Sequence, residues 1–87
     1  MSDYNEVSSV DDRFGFARRF LVCSDIELVD AFNKEVGREG RMNDRVDFLY
    51  HLQRELLFRK FDISAIITGR TLSMQHRVRL VENRLVV

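Results

Sequence analysis

The chain has no proline, one cysteine, four glycines and no apolar run near the roughly 20 residues a membrane helix needs. Each shortage removes something. Without proline, no motif can depend on one. The lone Cys23 excludes an internal disulfide framework and leaves a cysteine-based zinc site within one chain without its ligands. Gly37, Gly40 and Gly69 stand apart from one another and form no phosphate-cradling loop. Neither G-x-S-x-G nor H-E-x-x-H occurs, so the common hydrolase signatures are missing. The stretch Met1–Glu6 is acidic and lacks the basic and apolar regions of a signal peptide. A reduced, cytoplasmic setting without membrane attachment is the expectation.

What is present describes a small domain. Hydrophobic residues make up 45% of the 87 positions, which argues against wholesale disorder. A chain of this size buries only roughly 60–65% of its unfolded surface, so its core is marginal. Formal net charge is zero but unevenly spread. Residues 1–12 carry Asp3, Glu6, Asp11 and Asp12 and no base, leaving all 14 basic residues against 10 acidic ones in the remainder. The first 12 residues also lack apolar periodicity and are expected to form a flexible tail before one domain over 13–87. Arginine outnumbers lysine twelve to two. Guanidinium groups match phosphates and carboxylates, although biased base composition explains the same count. The near-neutral pI makes no global case for nucleic acid.

The expected fold is α+β: an N-terminal strand, a two-helix hairpin, then a C-terminal antiparallel hairpin or small sheet. Phe14, Phe16, Phe20 and Val22 alternate with Arg13, Gly15, Ala17 and Arg19, which suits a strand with one buried face. Arg18 breaks that alternation, and the i,i+4 pairs Phe16/Phe20 and Ala17/Leu21 keep a helix open. The strand is preferred because residues 20–23 run directly into a strong helix start. Ser24-Asp25-Ile26-Glu27 fits a capping box, with Cys23 and Leu28 as a hydrophobic staple. Ile26, Val29, Phe32 and Val36 then form the expected buried stripe, and Gly37 closes the helix. A short polar turn over 38–41 follows. A second helix is expected from Asn43 or Asp44 to about Lys60.

This second helix is unusual. Val46, Phe48, Leu49, Leu52, Leu56, Leu57 and Phe61 sweep more than half its circumference, with Tyr50 at the margin and Phe58 inside the polar sector. Such a helix is either covered on several sides by its own chain or shared with another chain. Residues 63–67 are apolar but too few to assign, and Thr68-Gly69-Arg70 reads as a turn. Leu72, Met74, His76, Val78 and Leu80 alternate with polar residues as one continuous strand. Glu82-Asn83 turns the chain, and residues 84–87 return as a final strand.

Candidate sites follow from these patterns. Cys23 at a helix start has the position of a reactive thiol, but it also fills a packing position. His51 and Glu55 share a helix face at i,i+4, yet two ligands are too few for a metal. Asp44, Asp47 and Glu55 have nothing around them to raise a pKa for acid–base work. No catalytic residue, metal or cofactor is therefore assigned, and no small-molecule substrate is evident. Arg70, Arg77, Arg79 and Arg84, with His76, form a basic C-terminal segment. Arg77 and Arg79 are expected on one strand face. Two helices followed by a basic hairpin resemble, in outline, a winged helix on DNA. Against that, the second helix presents large hydrophobes and Asp44, Asp47 and Glu55 where a reading helix needs polar donors. The preferred reading is a non-enzymatic protein–protein interaction module, self-associating as a homo-oligomer. Its expected interface comprises Phe48, Leu52, Leu56, Phe58, Leu85 and Val87.

Overall fold

A computed structural model of the chain describes residues 14–37 and 44–87. The acidic tail over 1–12 and the polar turn over 38–41 lie outside the described residues. The fold is α+β: three helices and two small antiparallel hairpins. Helix α1 spans Phe16–Leu21, α2 spans Asp25–Glu35 and α3 spans Arg45–Phe58. A single 3₁₀ turn over Ser64–Ile66 leads into β1 (Ile67–Thr68), which pairs with β2 (Thr71–Leu72). The second hairpin joins β3 (Arg79–Val81) to β4 (Arg84–Val86), with Leu80 opposite Leu85. Helix α3 is central: α1, α2 and β2 all pack on it, while β3 meets α2.

The expected N-terminal strand is instead helix α1. Gly15 enters at φ 75° and its carbonyl accepts the first helical bond, from Arg19 N–H at 3.0 Å. The i,i+4 spacing of Phe16 and Phe20 decides the outcome, because a helix puts both rings on one face and both are buried. Their rings stack at 5.9 Å, and each meets Phe48 of α3 edge-on at 5.3 and 5.4 Å. Arg18, the misfit in a strand, is exposed on the helix. The short sequence between the helices ends α1 in an unexpected way. The Phe20, Leu21 and Cys23 carbonyls around its C-terminus accept from Arg59, 36 to 39 residues downstream, and Phe20 O accepts from Cys23 N–H as well, at 3.1 Å.

Helix α2 starts as its sequence indicates. Ser24 Oγ accepts from Glu27 N–H at 3.1 Å, and Glu27 Oε1 accepts from Ser24 N–H at 2.7 Å. Asp25 and Glu27 lie in the first turn, where the helix dipole favours negative charge. Gly37 follows its end with φ 74°. The buried stripe is rotated from the expected one: Leu28, Val29, Phe32 and Glu35 are buried, whereas Ile26 is 60% exposed. Helix α2 packs on α3, and Leu28, not Ile26, joins the core cluster.

Helix α3 begins at Asp44, which makes no side-chain capping bond. It ends in a Schellman arrangement: Phe61 N–H reaches Leu56 O at 3.1 Å and Lys60 N–H reaches Leu57 O at 2.9 Å. Lys60 takes the left-handed φ of 67° that usually favours glycine. Phe61 and Leu56 are both buried, which supplies the apolar contact typical of this cap.

The expected continuous strand over 72–80 breaks into β2 and β3. Asn33 of α2 is the reason. Its side-chain amide donates to Val78 O and accepts from Val78 N–H, both at 2.8 Å. The backbone polar groups of residue 78 are thereby satisfied by a helix side chain and not by a neighbouring strand. A bridge between Asp62 and Arg84 ties the second hairpin to the end of α3 through Asp62 N–H to Asn83 O and Leu85 N–H to Asp62 O.

Candidate interaction surface

The two faces of α3 have different fates. Phe48, Leu52 and Leu56 are almost wholly buried against the rest of the chain. On the opposite side Val46 is 78% exposed and Leu57 50% exposed, with Tyr50 also exposed and Gln53 half-buried between them. At 100° per residue, Val46, Tyr50, Gln53 and Leu57 lie within one narrow stripe. Their 4-3-4 spacing is that of a helix-pairing seam. Arg54 borders the stripe. Its guanidinium lies over the Tyr50 ring at 5.5 Å, and Nη1 donates to Tyr50 Oη at 3.1 Å.

Beyond Arg54 the apolar surface continues onto α1. Phe58 is 74% exposed and Leu21 61% exposed, and the two line a shallow groove of about 210 Å³ with Ala17, His51, Arg54 and Glu55. Arg59 fixes this corner. Its Nε donates to Glu55 Oε2 at 2.8 Å, and Nη1 to Asp25 Oδ1 at 2.8 Å. Its Nη2 reaches the carbonyls of Phe20 at 3.0 Å, Leu21 at 3.4 Å and Cys23 at 2.8 Å. One planar fork thus joins α3 to the end of α1 and the start of α2. Desolvation opposes its charge, but the hydrogen bonds and charges of Glu55 and Asp25 more than offset this and raise its pKa. Through these bonds Arg59 ties the end of α1 to α3, where Leu21 and Phe58 line one groove.

The sequence-derived residues fall on both sides of the boundary between core and surface. Phe48, Leu52, Leu56 and Leu85 are interior residues of this chain, where a partner cannot touch them without unfolding it. Phe58 and Val87 are exposed, on α3 and after β4 respectively. Val46, Tyr50 and Leu57 belong to the helix's apolar sweep, which by itself does not tell surface from core. The 4-3-4 spacing was a signal that could have singled them out. The role of Arg59 left no local signal.

The arginines are only partly assembled. All four are exposed. Arg79 and Arg84 lie on the outer face of the second hairpin with Val81 and Val86, opposite the inward Leu80 and Leu85. Arg77 precedes β3 in irregular chain, so it does not share a strand face with Arg79, and Arg70 sits in the turn between β1 and β2. Asp62 is near Arg84. Hydrogen bonding from the Ser64 backbone N–H, then from its side chain, holds the Asp62 carboxyl below the usual range, and Arg84's charge adds to this.

The remaining reactive side chains are engaged in packing. The Cys23 thiol is half-buried and donates to Arg19 O at 3.3 Å. His51 is buried edge-on to the Tyr50 ring at 5.2 Å, and its neighbour Glu55 is held by Arg59. Among the described residues no three histidine, cysteine or acidic side chains group as metal ligands, and no helix is long and apolar enough to cross a membrane. Two open grooves beside α2, of about 410 and 570 Å³, are bordered by Arg19 and Lys34 with Glu35 or Glu27 and Asp30. No protein-family model, curated protein or solved structure matches the chain significantly.

Proposed function

We propose that the chain is a non-enzymatic protein–protein interaction or assembly module that associates with itself. The observation that carries this reading is the pair of exposed apolar groups on either side of Arg54, the Val46–Tyr50–Leu57 stripe of α3 and Phe58 with Leu21. Large hydrophobes gathered on one side of a folded chain are characteristic of association surfaces, whereas scattered ones are not. A cytoplasmic, reducing setting accords with the unpaired Cys23 thiol. The test is sedimentation equilibrium across a wide concentration range. Mass should rise with concentration, and Leu57→Asp should return it to the monomer value without lowering the melting temperature. A strict monomer at high concentration removes the self-association claim.

A second reading rests on Arg79 and Arg84, which share the outer face of the second hairpin. Two guanidiniums there, with Arg70 and Arg77 nearby in sequence, suit contact with nucleic-acid phosphates. Such contacts predict salt-dependent retention on immobilised DNA or RNA, weakened by combining Arg79→Ala with Arg84→Ala. An absence of retention at low salt eliminates this alternative.

A further inference from the structure

We propose that the occupant of the α3 stripe is the α3 helix of a second copy, antiparallel, with Tyr50 opposite the partner's Gln53. This inference rests on the self-association reading and specifies its geometry. The stripe is symmetric about the middle of the helix, between His51 and Leu52. Turning a second α3 end for end therefore sets Val46 on the partner's Leu57 and Leu57 on the partner's Val46. Apolar ends meet apolar ends, and the polar centre meets itself.

Charge fixes the direction. Asp47 and Arg54 are seven residues apart, so they flank the stripe on the same side. In the antiparallel pair, Asp47 comes beside the partner's Arg54 on one edge, and two-fold symmetry repeats that pair at the other end. In a parallel arrangement Asp47 and the partner's Arg54 stand seven residues apart along the seam, so that pair does not form. Arg54 is already held at the seam by Tyr50, engaging only Nη1 in a hydrogen bond. A guanidinium has five N–H donors, so Nε and Nη2 can still engage a carboxylate. Helix α3, at 14 residues, is about 21 Å long. Such a short seam predicts a reversible dimer, populated at high protein concentration.

Sedimentation equilibrium and disulfide trapping of the full chain test this geometry. Asp47→Arg and Arg54→Asp should each weaken dimerisation about tenfold, by turning two attractive pairs into repulsive ones. Combining them should restore it, with thermal melts establishing that every variant is folded. Independently, Tyr50→Cys and Gln53→Cys chains, each carrying Cys23→Ser, are mixed and oxidised. Cross-links between the two different variants should form faster than those within either alone. A wild-type dimer whose charge swap fails to rescue, or whose cross-links join like with like, overturns the antiparallel register while leaving self-association standing. A monomer at every concentration overturns both.

Discussion

Two faces of one helix carry similar residues and serve opposite ends. On one, Phe48, Leu52 and Leu56 vanish into the core, where the Phe16 and Phe20 rings meet Phe48 edge-on. On the other, Val46, Tyr50 and Leu57 meet solvent, although their side chains are no less suited to burial. Hydrophobicity alone therefore does not assign a face. What distinguishes them is where α1 lies, and α1 is held by Arg59, a cation at the end of the same helix.

The comparison is sharpest where it is broken on the buried side. Leu52→Ala should cost about 2–5 kcal/mol, since a fully buried leucine leaves a cavity. Chemical denaturation reads this directly, and a cost below about 1 kcal/mol means that the face is not the core. Arg59→Ala comes next, at about 2–4 kcal/mol, because it leaves Glu55 and the Cys23 carbonyl without the donor that Arg59 supplies and unties α3 from the end of α1. Arg59→Lys keeps the charge without the fork and should recover only part of that loss. Full recovery would show that charge, not geometry, holds the corner. Ser24→Ala removes half of the capping box and should cost about 1 kcal/mol. Least affected is the open side: Leu57→Asp should change stability by no more than about 0.5 kcal/mol while reducing association. A large loss of stability there would erase the distinction between the faces.

Several elements were legible because their causes are local. The Ser24–Glu27 capping box, the left-handed Gly37 and the turns at Gly69 and Glu82-Asn83 all arise within a few neighbouring residues. Misreadings occurred where a distant group intervened. Residues 14–22 looked like a strand because residues 20–23 run straight into the next helix start and leave no room for a helix to end, yet Cys23 N–H and the distant Arg59 together supply donors to the carbonyls there. Residues 72–80 alternate like one strand, yet Asn33 takes the backbone of Val78. Ile26 appeared to belong to the buried stripe of α2, but the packing of α2 against α3 favours Leu28. The candidate surface was half legible. The excess of apolar residues on α3 announced that something beyond one face was needed, and Phe58 stood out in a polar sector. Four of the six residues first expected to meet a partner, Phe48, Leu52, Leu56 and Leu85, are core residues.

By itself, the sequence determined the α+β class, the start of α2, the second hairpin and the apolar excess of α3. These follow from capping chemistry, turn residues and side-chain period, which operate over a few ångströms along the chain. Tertiary structure decided that residues 16–21 are helical, where the long strand divides, and which apolar residues of α3 remain outside. Those outcomes depend on Arg59 and Asn33 meeting backbone groups more than 30 residues away, partners that no local pattern can specify.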